Sequence, residues 1–276
     1  MWQAEHVASL LGGAELVVVD TVGDRDKATS LSELGGRGIF VKEVQAAVLD
    51  GRADIAVHSA KDLPSNPALA TPGLVVAAVP ARGDARDALV GARLADLPPG
   101  GVVATGSARR RALLADLRPD LTFVDLRGNI DTRLAKLPPG GAVVVAFAAL
   151  ERLGLADRAA EVLDAAVLVP QVAQGALAIE CRAGEESSVA SLDHGPSRRA
   201  VDAERGWLAA IGGGCDLPVG AHARVDGELV RLTAVLASFD GRIVLRDTAV
   251  GTDPVTVGTS LAESMLDHGG RWLLDG

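Results

Sequence analysis

The sequence predicts an α/β chain of two or three domains that ends in a small α+β domain. Its 276 residues are too many for one small core. Apolar runs typical of strands alternate with helical patterns through most of the chain, an order that favours a mostly parallel sheet. Near the end, three strand patterns follow one another with tight turns between them, and a final helical pattern closes the chain.

The composition is that of an ordinary globular chain, with 48% hydrophobic and 23% charged residues. A net charge of −9 argues against general affinity for nucleic acid. The longest apolar run, 142–150, is too short to span a bilayer, and no signal peptide is visible. Cys181 and Cys215 form neither a disulfide framework nor a metal-ligand spacing. We expect a cytoplasmic monomer with no metal, membrane or nucleic-acid partner.

The first part of the chain predicts helices and strands in alternation, at 2–11 (helix), 15–20 (strand), 40–50 (helix), 54–57 (strand) and 73–79 (strand). An α/β chain seldom begins with a complete helix, so we expect a preceding strand to be missing. The polar segment 21–38 has the length of a functional flap or a disordered loop.

The segment 58–64, HSAKDLP, begins where the strand at 54–57 ends. Pro64 cannot continue a strand, so this segment is predicted to be a loop. Ligands of parallel sheets bind beyond the carboxyl ends of the strands, which makes Lys61 and Asp62 candidate site residues. The alternative is a solvated surface ion pair.

The middle of the chain carries a basic segment in an otherwise acidic protein. Its basic residues are Arg109, Arg110, Arg111, Arg118, Arg127, Arg133 and Lys136. Turns at 105–107 and 127–129 place hydroxyl groups, free amides and arginines at the starts of the predicted helices 108–117 and 130–137. Such an arrangement suits a carboxylate or phosphate ligand. The alternative is that the arginines are merely solvated, which we expect for Arg111 and Arg118.

The last third predicts a strand at 176–181 after the loop 170–175, where the chain could return to the first domain. A helix at 197–211, with Ser197 as its N-cap, ends in a glycine run that presents Cys215. Three glycines in succession predict a loop. The cysteine in it is either a small packing residue or a group brought close to a ligand. Strands at 219–225, 229–238 and 242–250 and a helix at 254–268 complete the chain.

Six strings occur in order along the chain: HSAKDLP, TGSARR, LRGNIDTRL, ERLGL, QGALAIECR and GGGCDLPVG. Each is weak alone, but together they closely resemble the porphobilinogen deaminases, also called hydroxymethylbilane synthases. The resemblance covers nearly the whole chain. It implies two α/β domains like those of type II periplasmic binding proteins, with a double chain crossover, and a small C-terminal α+β domain. The expected domains are 1–79 with 175–194, 83–172, and 196–276.

The resemblance also implies an activity, the head-to-tail condensation of four porphobilinogen molecules into hydroxymethylbilane with release of ammonia, a step of tetrapyrrole and haem biosynthesis. It implies a dipyrromethane cofactor joined to Cys215 by a thioether. Porphobilinogen becomes an electrophile when it loses ammonia, and a thiolate can trap such a species permanently. Each added pyrrole brings two carboxylates, which accounts for concentrated arginines in an acidic chain.

By the same resemblance, Asp62 is the catalytic residue, contacting pyrrole N–H groups and stabilising the positive charge of the electrophile. The resemblance assigns cofactor binding to Lys61, Ser107, Arg109, Arg110, Arg127, Gly128 and Cys215. It assigns substrate binding to Thr105, Arg133, Arg152 and Gln174. The segment 21–38 becomes a flap, with Asp24 and Arg37 as contacts.

The chain departs from the family pattern at two places. Family members carry a strand and an R-x-S-x-L-A motif just before W-Q, whereas this sequence starts at Met1-Trp2-Gln3, and Gly106 stands where serine is usual. One alternative function is a non-catalytic solute-binding protein of the same fold, which would not account for the loop around Cys215. Another is a deaminase inactivated by the missing N-terminus.

Overall fold

The computed structural model describes residues 1–19, 38–212 and 217–275. The chain divides into two compact units. Unit 1 comprises Met1–Arg82 and Ala176–Arg198, and unit 2 comprises Gly83–Gly175 and Arg199–Gly276. The chain therefore leaves unit 1 and later returns to it, as a double crossover requires. Unit 2 contains most of both predicted later domains, and their separation stays a prediction.

The described residues form strands and helices that we number in chain order. The strands are β1 (Ile55–Ser59), β2 (Leu74–Ala78), β3 (Asp87–Val90), β4 (Val102–Ala104), β5 (Thr122–Val124), β6 (Ala142–Ala146), β7 (Ala159–Val162), β8 (Leu177–Arg182), β9 (Val219–Asp226), β10 (Leu229–Ala237) and β11 (Val244–Gly251). The helices are α1 (Trp2–Leu10), α2 (Gly38–Leu49), α3 (Ala108–Leu117), α4 (Ile130–Ala135), α5 (Phe147–Glu151), α6 (Gly195–Ala210), α7 (Pro254–Met265) and α8 (Arg271–Asp275). None of the helices in these ranges is long and apolar enough to cross a membrane.

Unit 1 is built on a three-stranded sheet in the order β1-β8-β2, with β8 antiparallel to both neighbours. Its two faces are both covered, because alternate residues of a strand point to opposite sides. One core cluster contains Val7 of α1 together with Leu177 and Ile179 of β8. The other contains Val48 of α2 and Ala56 of β1. The strand predicted after the loop 170–175 is thus confirmed, and it is the central strand of this sheet.

The strand predicted over 15–20 is wrong for its described part. Residues 14–19 belong to no strand, and Leu16, Val17 and Val18 are 38%, 47% and 71% exposed. An apolar run becomes a strand only when a neighbour accepts and donates its backbone hydrogen bonds. No strand of the described chain pairs with this segment, so the apolar pattern is not realised as sheet.

Unit 2 contains a five-stranded sheet in the order β5-β4-β6-β3-β7. Strand β4 is parallel to β5 and β6, whereas β3 is antiparallel to β6 and β7. The α/β class is confirmed, but the mostly parallel sheet is wrong, because four of the six described strand pairs in this sheet and the sheet of unit 1 are antiparallel. The sequence patterns do not predict β3 and β7, and β3 is antiparallel to both of its neighbours.

The predicted hairpins near the C-terminus are confirmed as a second sheet of unit 2, ordered β11-β10-β9 and entirely antiparallel. Buried Val235 of β10 packs in one cluster with Leu113 of α3 and Val144 of β6, so the two sheets share a core. Helix α7 contributes Val257, Leu261 and Met265 to the buried interior. This packing fixes α3, which carries Arg109 and Arg110.

One predicted cap is wrong. Helix α6 begins at Gly195, two residues before Ser197, which was expected to be its N-cap. The Ser197 hydroxyl instead accepts a hydrogen bond from the backbone N–H of Arg82 at 2.9 Å and lies 2.8 Å from Nδ1 of His194. Ser197 therefore joins the start of α6 to the segment that leaves unit 1.

Candidate functional site

The two candidate residues of unit 1 lie where β1 ends. After Ser59 the chain enters a 3-10 turn, Ala60–Asp62, that carries Lys61 and Asp62, both half-buried. The backbone N–H of Ala60 donates to the carbonyl of Ala176 at 3.0 Å, which ties the turn to the start of β8. The predicted position of both residues, in a loop at the end of a strand, is confirmed.

Asp62 lines a cavity of about 410 Å³ in unit 1. The other lining residues are Gln3, Val41, Val44, Val57, His58 and Ser59. Gln3 reaches it from α1, where its side-chain amide donates to the Ser59 hydroxyl at 2.7 Å. Mixed apolar and polar walls of this size are typical of small-molecule sites.

A buried polar network lies next to this cavity. It was not predicted from the sequence. Nε2 of His58 lies 3.0 Å from Oε2 of Glu180, although outside hydrogen-bond geometry. Gln45 donates to the same Glu180 oxygen at 2.8 Å, and the Thr71 hydroxyl donates to Gln45 at 2.7 Å. The network joins β1, β8 and α2 and thereby fixes the strand that leads to Asp62.

The centre of the candidate site in unit 2 is Asp87, the first residue of β3, which is fully buried. Its Oδ2 accepts from Nη2 of Arg109 at 2.7 Å, and its Oδ1 accepts from Nη2 and Nε of Arg110 at 2.7 and 3.0 Å. Nε2 of Gln174 also donates to Oδ1, at 2.9 Å. Arg109 and Arg110 are therefore buried and internally paired, which the sequence analysis did not anticipate.

Electrostatics keep this cluster ionised. Burial alone would raise the pKa of Asp87, but the charges and hydrogen bonds of Arg109 and Arg110 outweigh burial and lower the pKa to about 2. Burial lowers the pKa of Arg109, against the attraction of Asp87 that raises it. At neutral pH one carboxylate therefore faces two guanidinium groups, so the three side chains carry one net positive charge. A surplus positive charge in a buried setting favours an anionic ligand.

Arg109 also retains an unused donor. Its Nη1 donates to the Val169 carbonyl at 2.7 Å, but no partner for its buried Nε lies within the described parts of the chain. A cavity of about 10 Å³ touches Arg109, with room for about one water molecule. Ser107, Gln171 and Leu217 are among the residues that line it.

The turn between β4 and α3 presents the two predicted hydroxyl residues. The buried Thr105 hydroxyl accepts from the Ser107 N–H at 3.2 Å, and the Ser107 hydroxyl accepts from the Arg110 N–H at 3.4 Å as the N-cap of α3. A Cβ atom on Gly106 would lie 2.5 Å from the Leu126 carbonyl oxygen. A side chain at position 106 would therefore require the turn or the Leu126 carbonyl to shift.

The next turn, between β5 and α4, carries Arg127, Gly128 and Arg133. Arg127 is exposed, and its carbonyl accepts from Lys136 at 3.1 Å. Nε of Arg133 donates to the Gly128 carbonyl at 2.7 Å. Asn129 caps α4 by accepting from the Thr132 N–H at 2.9 Å. The predicted strand-turn-helix arrangement is confirmed at both turns.

Arg152 and Gln174 hold the segment at which the chain leaves unit 2. Nη2 of Arg152 donates to the Gly175 carbonyl at 2.9 Å, and burial lowers the pKa of its guanidinium. Gln174 is fully buried and donates to the Ala85 carbonyl at 2.7 Å as well as to Asp87. The Gly83 N–H donates to the Gly175 carbonyl at 3.3 Å, so the two crossing segments meet here.

The structure thus gathers Ser107, Arg109, Arg110 and Gln174 in unit 2, with the Thr105 hydroxyl bound to Ser107, and places Lys61 and Asp62 in unit 1. Cys215, Asp24 and Arg37 lie outside the described residues. Asp87 is a site residue that was not predicted. The signal that could have found it is an acid at the head of the apolar run DALV, because a charge in a buried strand requires a partner.

The matches to known protein families and relatives cover nearly the whole chain. Residues 1–190 match the family model described as "Porphobilinogen deaminase, dipyromethane cofactor binding domain", and residues 199–267 match "Porphobilinogen deaminase, C-terminal domain". A porphobilinogen deaminase of Roseiflexus sp. is 47% identical over 267 residues, 94% of this chain and 87% of the relative.

Two further relatives carry the same name. The protein of Acidothermus cellulolyticus is 44% identical over 290 residues, 99% of this chain and 87% of the relative. The protein of Syntrophus aciditrophicus is 40% identical over 289 residues, 99% of this chain and 94% of the relative. Both the order of the motifs and the extent of these matches lead to one conclusion: the chain belongs to the porphobilinogen deaminase family.

Proposed function

We propose that the chain condenses four porphobilinogen molecules head to tail, releases ammonia and yields hydroxymethylbilane for haem biosynthesis. The observation that carries the proposal is the buried Asp87–Arg109–Arg110 cluster with its surplus positive charge, in a chain that matches this enzyme family almost completely. The substrate is a dicarboxylic pyrrole, and each condensation adds two more negative charges to the product chain.

The arginines bind these carboxylates. A charge-assisted hydrogen bond in a desolvated site contributes about 1.5–3 kcal/mol, whereas an exposed one contributes little. The buried Arg109 and Arg110 therefore supply the strongest contacts, with Thr105 and Ser107 as hydroxyl partners beside them. Arg127 and Arg133 are less buried and take the outer carboxylates of the growing chain. Lys61, in unit 1, takes a carboxylate beside Asp62. Arg152 and Gln174 align the loop 170–175.

Asp62 is the residue that we assign to the chemistry. When porphobilinogen loses ammonia, the remaining methylene-pyrrole is positively charged until the next pyrrole attacks it. A half-buried carboxylate that accepts from the pyrrole N–H stabilises that charge, which can lower the barrier by several kcal/mol. The cavity that Asp62 lines has the volume for a small ring-shaped substrate.

The matched family model names a dipyrromethane cofactor, and the residues present fit such a group, because its carboxylates suit the arginine cluster. When bound, dipyrromethane supplies the primer from which the product chain grows. We assign its covalent attachment to Cys215. The other cysteine, Cys181, is buried in β8, and burial raises the pKa of its thiol, which disfavours the reactive thiolate.

The attachment is tested by the intact mass of the purified protein and by its reaction with Ehrlich's reagent, which colours pyrroles. We expect a mass excess of one dipyrromethane and a coloured product, both abolished in Cys215→Ser and both retained in the matched control Cys181→Ser. An unmodified, folded wild-type protein would overturn the attachment. Release of ammonia from porphobilinogen separates the enzyme from a protein that only binds it.

We also propose that the enzyme works in the cytoplasm as a monomer, without nucleic acid or membrane. The acidic net charge of −9 supports the absence of a nucleic-acid partner. Light scattering coupled to size exclusion, at concentrations from about 1 to 100 times that used in the assay, tests the monomer. A mass that doubles across this range would contradict it.

A further inference from the structure

A buried carboxylate outside the assigned site connects three segments of unit 2. Glu204 of α6 is fully buried. Its Oε2 accepts from the backbone N–H of Ala173 at 2.6 Å, and its Oε1 accepts from the backbone N–H of Ala223 at 2.8 Å. Oε1 also lies 3.6 Å from Nδ1 of His222. The carboxylate thus ties α6 to the loop 170–175 and to β9.

One of its two donors has an unusual backbone. Ala173 has φ of +58°, and it is the only non-glycine residue with a positive φ among the described residues. A side chain at Cβ disfavours this left-handed conformation, so surrounding contacts must maintain it. The hydrogen bond from the Ala173 N–H to Glu204 is such a contact, since it fixes the orientation of the strained peptide.

The backbone conformation of Ala173 affects the position of the next residue, Gln174. Gln174 is fully buried, and its side-chain amide donates to the Ala85 carbonyl and to Oδ1 of Asp87. Asp87 in turn holds Arg109 and Arg110. The left-handed turn at Ala173 sets the direction in which the Gln174 side chain enters this cluster. Two other residues of the loop, Gln171 and Val172, line the small cavity that Arg109 touches.

We propose that Glu204 is a positioning residue for the anion-binding cluster: it holds Ala173 in the left-handed conformation that points Gln174 at Asp87 and so aligns Arg109 and Arg110. The proposal rests on the proposed function of that cluster. A buried carboxylate is a costly way to stabilise a fold, and apolar residues often replace such groups without loss. Its value here lies in accepting two backbone N–H groups at fixed positions.

The first test is Glu204→Gln, which keeps the shape but leaves one carbonyl oxygen for two N–H donors. Because the arginines bind carboxylates in the ground state and the transition state alike, we expect KM for porphobilinogen to rise about tenfold, the equivalent of one lost charge-assisted hydrogen bond. We expect kcat to change by less than about twofold. An unchanged KM with a lowered melting temperature would mean a purely structural role and would overturn the proposal.

The second test is a rescue. Glycine adopts the left-handed conformation without help, so Ala173→Gly added to Glu204→Gln should restore KM. The matched control is Ala223→Gly in the same background, which makes the same change at the other donor, in the regular strand β9. We expect no rescue there. A failure of Ala173→Gly to restore KM, or an equal rescue by both glycines, overturns the proposal.

A third measurement needs no variant. In the unmodified chain the Ala173 amide should exchange its hydrogen as slowly as the strand amide of Ala223, although it lies in a loop. Exchange at the rate of exposed loop amides overturns the proposal even if Glu204→Gln fails to fold. Hydrogen exchange depends on neither cofactor nor turnover, whereas failure of the proposed function would appear as missing ammonia release by the wild type.

Discussion

The buried ion-pair cluster of unit 2 permits a sharp prediction. Asp87→Asn keeps the shape of the side chain but removes its charge, while Arg109 and Arg110 stay buried. The aspartate accepts four hydrogen bonds, three of them from the guanidinium groups. Breaking a buried ion pair from one side typically costs 3–5 kcal/mol, because the remaining charge has no compensation. We therefore expect Asp87→Asn to lower the free energy of unfolding of unit 2 by about 3–5 kcal/mol.

The assay is urea unfolding at pH 7, followed by tryptophan fluorescence. Trp207 is fully buried in unit 2, whereas Trp2 and Trp272 are exposed. Replacing the two exposed tryptophans by phenylalanine leaves Trp207 as the reporter of this unit alone, which avoids mixing the two units in one transition.

The matched control is Asp120→Asn, the same change on another aspartate that pairs with an arginine. Asp120 binds Arg118 at 2.7 Å, but both side chains are partly exposed. Solvent and salt screen such a pair, so we expect little change in the unfolding midpoint. A loss below about 1 kcal/mol for Asp87→Asn, the scale of a surface pair, would refute the role of Asp87 as the charge that the two arginines require.

Three further predictions concern Asp87, Gly106 and Asp62. The pKa of Asp87 is lowered from 3.8 to about 2, so the stability that its ionised form adds is complete above about pH 4 and is lost as the pH falls towards 2. Across that range, acid unfolding curves should show the free energy of unfolding of the wild type falling by about 2 kcal/mol relative to that of Asp87→Asn. Parallel curves for the two proteins would contradict this linkage. Gly106→Ala should destabilise unit 2 by about 1–3 kcal/mol in urea unfolding, because its Cβ would meet the Leu126 carbonyl at 2.5 Å. The matched control is Gly83→Ala, at another glycine of unit 2 without a positive φ, where the atom nearest to the new Cβ would lie at 3.5 Å, an ordinary contact. Asp62→Asn should keep the melting temperature and lower kcat at least about a hundredfold, since one preorganised electrostatic contact is removed; near-normal turnover would exclude Asp62 from this role.

The sequence predicted local features of the site better than its long-range pairing. The turn with Lys61 and Asp62 and the hydroxyl groups at the start of α3 follow from proline, serine and threonine residues close by in the chain, and both lie where they were expected. The partner of Arg109 and Arg110 could not be found in this way. Asp87 lies more than twenty residues earlier, in a four-residue strand too short to show a period.

The same limit explains the wrong strand at 15–20. The segment Leu16–Val18 has the apolar pattern of a strand, but a strand exists only through its neighbours, and the pattern does not name them. Conversely, β8 was predicted from its pattern, yet its central place between β1 and β2 is a property of the whole topology. The left-handed Ala173 gave no signal, because alanine is not a residue that marks such a conformation.

The central place of β8 has a consequence for the way the chain folds during its synthesis. Within the described ranges, strands β1 and β2 each pair only with β8, and β8 begins at Leu177, about 100 residues after β2 ends at Ala78. At typical elongation rates the ribosome takes roughly 5–20 s to make those residues. During that delay β1 and β2 expose unpaired edges, while the five strands of the β5-β4-β6-β3-β7 sheet are complete by Val162. The middle of the chain can therefore fold first, and the nascent N-terminal segment is the part that a chaperone would have to shield.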